Sequence, residues 1–497
     1  MRQDGNAVDW FLDRHLREGR GDRIAFSDPW RSLTYAELAR DSARFASALA
    51  QAGIGREQRI ALIMLDTVDF PIAFWGALRA GAVPVPINTL LTPETTEYIV
   101  RDSRAAAVVV SDSLAAAVPR IPGVQVIDSF SKFLALGSDD APIVATSTDE
   151  VAFWLYSSGS TGAPKGVRHV HGSLRVTAET YGMQVLGIQP DDVMFSAAKA
   201  FHAYGLGNCM TFPMSVGASA VFLPERPTAD AVLDMMRRHR PTIFGGVPTL
   251  YASLLANAGI GPGAGSDRLR RCISAGEALP AEIGHRWKSM VGLDILDGIG
   301  STEMLHIFVS NRPDDIRYGT SGKPVPGYEA AVLDEHGHTV PNGEAGELVI
   351  RGASAAEGYW NQRAKTRKTF QGEWTHTGDT YIRDADGYYR YQGRNDEMLK
   401  VGGVWVSPFE VEEALISHPS VLEAAVVGHE DSDGLTKPKA FVILRDTDVD
   451  RNVLAETLKT HVKDRIGVWK YPRWIEFADT LPKTATGKIQ RFRLRDR

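Results

Sequence analysis

Between Tyr156 and Val167 the chain reads Tyr-Ser-Ser-Gly-Ser-Thr-Gly-Ala-Pro-Lys-Gly-Val, directly after the apolar run Val151 to Leu155. A strand that empties into small hydroxyl and glycine residues, with a lysine near the far end, suits the phosphates of a nucleotide. Gly159, Gly162 and Gly166 let backbone N–H groups approach an anion closely. Ser157, Ser158, Ser160 and Thr161 add hydroxyl donors, and Lys165 adds a point charge. A Gly/Ser loop alone is most often a flexible surface loop. Here the preceding strand and the proline-stiffened lysine weigh for phosphate. The spacing is not that of the G-x-x-x-x-G-K-[ST] loop, because Gly166 follows Lys165.

Five further islands of unusual residue choice follow. Ser274-Ala275-Gly276-Glu277-Ala278 is a run of mostly small residues that leaves a flat slot for a planar base, or simply makes a tight strand-to-helix turn. In Asp297-Gly298-Ile299-Gly300-Ser301-Thr302-Glu303 the glycines bring backbone near a ligand, Thr302 can donate to a phosphate, and Glu303 can hold Mg²⁺. An acid in Glu303's place also suits a helix N-terminus. Asp379, after Gly378, can accept two ribose hydroxyls or be a turn aspartate. Arg394 and Asp396 sit at a junction followed by Lys400-Val401-Gly402-Gly403. Lys488 ends the small-residue loop Leu481-Pro482-Lys483-Thr484-Ala485-Thr486-Gly487. Taken singly, a lysine in that position is a solvated surface charge.

These islands need a scaffold. A chain of 497 residues has room for two or more domains. Its 43% apolar and 23% charged content is ordinary for a soluble globular protein. A formal net charge of −6 points to neither a nucleic-acid nor an anionic-membrane partner. Cys209 and Cys272 have no C-x-x-C spacing, so they read as small buried residues in a reducing compartment. The first residues are charged throughout, without the apolar core of a signal peptide. The apolar stretch Pro71 to Ile87 is broken by Arg79, Gly81, Pro84 and Pro86, short of a membrane span. A cytoplasmic protein is expected.

Helical patterns alternate with apolar runs over the first four-fifths of the chain. Thr34-x-x-Glu37 forms a capping box, and the helix it opens runs to near Gly53. The segments 59–66, 105–111, 151–156, 218–223, 241–244 and 271–274 read as buried strands, which predicts α/β layers containing parallel sheet. From about Gly319 short β-rich segments with Gly, Pro and Asn turns indicate a small antiparallel sheet or distorted barrel. A second change comes at Gly393 to Asp396. Beyond it a helix over 408–416, strands over 421–428 and 439–444, a helix over 452–465 and a strand over 474–477 form a compact α+β unit of roughly 100 residues. The domains are therefore 1–394 and 395–497.

All six islands, in this order and at these separations, resemble the acyl- and aryl-CoA synthetases that activate carboxylates as adenylates. The resemblance implies a large N-terminal domain of two α/β sheets plus a small β-barrel, with a smaller mobile α+β C-terminal domain hinged at Asp396. It implies that the Tyr156–Val167 loop, with Lys165, holds the ATP β- and γ-phosphates. Gly276, Glu277 and Ala278 would line the adenine, together with Gly298 and Ile299, and Asp297 would accept its amino group. Many relatives carry a stacking aromatic where Ile299 stands. Thr302 would touch the α-phosphate, Glu303 bind Mg²⁺, Asp379 and Arg394 hold the ribose, and Lys488 bridge the attacking carboxylate and the α-phosphate. Gly402 and Gly403 would meet CoA.

The stretches 201–208, 297–311 and 317–323 are similar to those of benzoate-CoA ligases. In those enzymes the positions matching Ala203, Tyr204, Gly300, His306 and Ile307 form the ring pocket. Tyr204 and Ile307 can sandwich a flat ring, while a histidine on an apolar helix face is more often simply packed. The resemblance thus implies an ATP-dependent aryl-CoA ligase for benzoate or a ring-substituted relative such as 2-aminobenzoate or 4-hydroxybenzoate, working as a monomer or homodimer. Two alternatives stand beside it: an adenylation enzyme that loads a carrier protein, and a non-catalytic nucleotide-binding protein.

Overall fold

The computed structural model describes residues 5–157, 163–395, 397–401, 404–431, 435–445, 449–483 and 489–495. Its spine is a nine-stranded sheet. Five of its strands, Ile295–Gly300, Arg271–Ser274, Ile243–Gly246, Val193–Ser196 and Ser219–Val221, run parallel to one another and to Ile24–Ser27. Antiparallel strands close both edges, Ser32–Thr34 on one side and Ile307–Ser310 with Lys323–Pro324 on the other. A second sheet pairs Val83–Pro86, Arg59–Ile63, Ala107–Val110 and Gln125–Ile127, all parallel. The central strands of both sheets are apolar along their whole length, because helices cover both faces. The helix Tyr35–Gln51 starts at the expected capping box: Glu37 N–H donates to the Thr34 hydroxyl, and Thr34 N–H donates to the Glu37 carboxylate.

The β-rich texture after Gly319 resolves into a five-stranded antiparallel sheet built from Glu329–Leu333, Ala345–Arg351, Trp374–Arg383, Phe370–Gln371 and Tyr389–Arg394. Beyond it the smaller C-terminal domain packs the helices Pro408–Ile416 and Arg451–Ile466 on the sheet Val421–Glu430, Thr436–Leu444 and Trp474–Phe477. None of the core clusters among the described residues contains side chains from both sides of residue 395. Among the described residues the two bodies meet through polar bonds and an aromatic contact. Ala281 N–H donates to Glu413 at 3.3 Å, Ile489 N–H donates to Glu277 at 2.9 Å, and the rings of Tyr391 and Phe409 lie 5.4 Å apart.

Two local expectations need correction. Glu303 does not open a helix; it lies in the turn between Ile295–Gly300 and Ile307–Ser310. His306 likewise stands in that turn and not on a helix face. The reason is the antiparallel pairing of those two strands, which leaves only a short connection between them.

Candidate active site

The phosphate-loop candidate connects two paired strands. Strand Val151–Ser157 pairs antiparallel with Lys165–Val170, and Ser157 stands directly opposite Lys165. Ser158, Gly159, Ser160, Thr161 and Gly162 lie outside the described residues. The Ser157 hydroxyl is buried without a hydrogen-bond partner. Lys165 Nζ lies 4.4 Å above the ring of Tyr359, whose hydroxyl donates to Glu303 Oε1 at 2.7 Å. Burial draws the Lys165 pKa below its ordinary value, and the Glu303 carboxylate opposes that shift. One tyrosine thus joins the lysine of the loop to the acid 138 positions later in sequence.

The adenine-slot candidates also converge. Ala278, Leu279, Asp297, Gly319, Thr320, Ser321, Tyr391 and Phe409 line a narrow cavity of about 10 Å³. Asp297 is buried, which pushes its carboxyl well above the usual range. Its Oδ2 accepts Leu279 N–H at 3.4 Å while Oδ1 has no partner. That orphaned acceptor fits an exocyclic amino group. Gly276 has φ +96°, a left-handed turn that a side chain would strain, and Glu277 holds the Ile489 amide. Ile299 is half-buried against the main core.

Asp379 and Arg394 occupy facing positions on neighbouring strands and form an ion pair of 3.0 Å. Arg394 also donates to the Thr377 carbonyl at 3.0 Å. Asp379 is therefore a strand residue and not a turn aspartate, with Gly378 at φ +72° beneath it. The Arg394 charge acts on both Lys165 and Tyr359, so the ribose and phosphate candidates share one field.

The ring-pocket candidates form the third group. Ala203 and Tyr204 begin the short helix Ala203–Leu206, and the Tyr204 hydroxyl reaches the carbonyls of Gly246 and Ile273 at 3.2 and 3.1 Å. His306 Nε2 contacts the Tyr204 carbonyl oxygen at 3.3 Å, and burial pulls the His306 pKa down to about 3, so the imidazole is neutral. It sits among the rings of Phe212, Tyr181 and Tyr204 at 4.5, 5.1 and 5.6 Å. Gly300 cannot be larger, since a Cβ there would lie 2.5 Å from the His306 carbonyl oxygen. Ile307 is buried beside it. Asp396, Gly402, Gly403 and Lys488 lie outside the described residues.

The AMP-binding enzyme family model matches residues 12–360, and the AMP-binding enzyme C-terminal domain model matches residues 410–488. The chain belongs to the AMP-binding enzyme family. This AMP-binding enzyme is 52% identical to a 4-hydroxybenzoate–CoA/benzoate–CoA ligase of Rhodopseudomonas palustris, across 99% of this chain and 94% of that protein. It is 53% identical to a benzoate–CoA ligase of Thauera aromatica, across 99% and 95%. Its fold superposes on a crystal structure of a benzoate CoA ligase from Burkholderia xenovorans LB400 with a TM-score of 0.94, at 51% identity and 99% coverage of both chains.

Among the described residues of this AMP-binding enzyme, no three His, Cys, Asp or Glu side chains cluster to hold a metal by themselves. A Mg²⁺ at Glu303 would need phosphate oxygens as further ligands. One carboxylate plus substrate phosphates is a usual magnesium donor set, so the residues fit. The magnesium would neutralise charge on the phosphates.

Sequence reasoning missed Tyr359. Its strand is two residues long, and it reaches the site only because Gly358–Tyr359 pairs with Lys165–Val170. Tyr359→Phe keeps the ring under Lys165 and removes the bond to Glu303. We expect the Mg²⁺ concentration for half-maximal ATP binding, read by calorimetry, to rise about 10–100-fold, as loss of one hydrogen bond to a charged group implies. An unchanged Mg²⁺ requirement would remove Tyr359 from the site.

Proposed function

We propose that this enzyme is an AMP-forming aryl-CoA ligase acting on benzoate or a small ring-substituted benzoate. The observation that carries the reading is that one strand runs past both candidate sites. Asp297 of Ile295–Gly300 lines the cavity proposed to take the nucleotide, and Gly300 at its end abuts His306 and Ile307 of the proposed ring pocket. An aromatic acid seated there presents its carboxylate toward a nucleotide bound along the same strand. The related ligases named above, acting on benzoate and 4-hydroxybenzoate, support the same substrate class.

No enzyme nucleophile is required. The carboxylate attacks the α-phosphate of ATP, a P–O bond forms, and pyrophosphate leaves with the electron pair of the bond that breaks. Negative charge grows on the phosphoryl oxygens, so catalysis is alignment plus electrostatic stabilisation. Lys165, the Ser157–Thr161 donors and Thr302 are proposed to hold the phosphates, Asp379 and Arg394 the ribose, and Lys488 the attacking carboxylate and α-phosphate. The CoA thiol then displaces AMP from the acyl carbon. The C-terminal domain, from residue 395, is proposed to turn about Asp396 between the steps and to bring Gly402-Gly403 to CoA.

Among the described residues no helix is long and apolar enough to cross a membrane, and we place the enzyme in the cytoplasm. AMP release measured over an acid panel tests the substrate class. Benzoate or a hydroxy- or aminobenzoate is expected to exceed octanoate in kcat/KM by at least about 10²-fold, since neighbouring analogues differ by only ~10–200-fold per group. Octanoate surpassing every aryl acid would sink the assignment. Loading of a carrier-protein phosphopantetheine with no thioester on free CoA would replace the acceptor.

A further inference from the structure

We propose that the ring pocket is built to hydrogen-bond a hydroxyl or amino substituent of the aromatic acid, with Asn208 as the principal partner and Tyr181 as the second. The inference rests on the aryl-acid reading above and narrows it. Buried polar atoms in folded proteins are nearly always paired, so each exception needs a cause. Around the ring pocket the exceptions gather: both amide atoms of Asn208, the Tyr181 hydroxyl and His306 Nδ1 lack a hydrogen bond of ordinary geometry, with the Tyr204 hydroxyl the polar neighbour of Asn208 and the Ser310 hydroxyl that of Tyr181. Asn208 and Tyr181 are 0% exposed, and His306 is 3% exposed.

These groups share one wall. The Tyr181 ring lies 5.1 Å from His306, which in turn contacts the Tyr204 carbonyl oxygen. Asn208 stands beside the Tyr204 hydroxyl, yet that hydroxyl is committed to Gly246 and Ile273. The Asn208 amide nitrogen is 3.2 Å from the point where a Gly245 side chain would begin, so glycine there keeps the amide uncrowded. Both residues also ride on wide-turned π-helical segments, Ala178–Leu186 and Gly207–Thr211. Such widened turns cost regular hydrogen bonding and recur where a side chain is re-aimed for function. A carboxamide can donate and accept at once, which matches a phenol or an aromatic amine. An unsubstituted ring would leave it unmet.

The test uses acid pairs equal in size and different in hydrogen bonding: hydroxybenzoate against methylbenzoate at the ortho, meta and para positions, and 2-aminobenzoate against 2-methylbenzoate. For at least one pair, the wild-type kcat/KM ratio is expected to favour the polar ring by about tenfold or more. Asn208→Leu should lower that ratio by about 10–100-fold. Tyr181→Phe, which removes one oxygen and keeps the shape, should lower it by about 3–10-fold. A ratio that neither variant moves, in a wild type that does activate aryl acids, would overturn the proposal and assign the orphaned atoms to buried water. A wild type that activates no aryl acid would overturn the function reading itself, and this inference with it.

Discussion

Lys488→Ala is expected to slow aryl-AMP formation by about 10²–10³-fold, the usual loss when one stabilising donor is removed from a transition state. Thioester formation from supplied aryl-AMP should survive. Lys488 itself lies outside the described residues, but its sequence neighbour does not. Ile489 N–H is bonded to Glu277 in the adenine-slot motif. Arg491 is half-buried and doubly bonded to Glu412, which holds its guanidinium charged. On the other flank Lys483 pairs with Glu423 at 2.8 Å. The residues flanking Lys488 are thus tied down on both sides, Ile489 to the candidate adenine-slot motif and Lys483 to Glu423. A cation delivered there helps while charge builds on the α-phosphate and has no task once the adenylate exists. Pyrophosphate exchange and CoA-dependent release, measured separately, check this; equal loss in both half-reactions would refute it.

Asp379→Ala should behave differently. Its carboxylate faces Arg394 across two strands, 13% exposed at the side chain, and is proposed to accept two ribose hydroxyls. Hydrogen bonds to a charged group are worth about 1.5–3 kcal/mol each, so losing two implies about 10²–10⁴-fold in kcat/KM for ATP. The ribose is also part of aryl-AMP. The variant should therefore weaken both half-reactions at low substrate, and high aryl-AMP should restore the second. If only the first half-reaction suffered, the ribose assignment would fail. The two variants together separate a group that serves one chemical step from a group that holds the molecule common to both.

What the sequence discloses is local. Turn residues, caps and apolar periods mark the helix Pro408–Ile416 and the strands Arg271–Ser274 and Trp474–Phe477 at their observed bounds. The islands at 276–278, 297–303 and 379 stand out because small residues crowd around one charged or polar group. Partnership across the chain does not show. From residue type alone Asp379 and Arg394 read as two separate candidates; the family resemblance sets both at the ribose, and strand register brings them face to face. Tyr359 carries no signal beyond an aromatic beside a glycine. Asn208 and Tyr181 sit in π-helical turns, where the 3.6-residue period no longer says which way a side chain faces. The same limit explains why a helix stood as the alternative setting for Glu303 and His306: a six-residue connection between antiparallel strands looks like a helix start until the pairing is known.

The separate cores on either side of residue 395, joined through Glu413, Glu277 and the Tyr391–Phe409 contact, have a mechanical consequence. Apolar burial resists sliding roughly in proportion to the area that must be uncovered, whereas water can replace a hydrogen bond at little net expense. Such a joint suits a bearing better than a weld. If the C-terminal domain turns as proposed, stiffness to hold a nucleotide would reside inside each body and the freedom to turn in the seam. Mutations that strengthened the seam with apolar side chains would make a sturdier protein and a slower one.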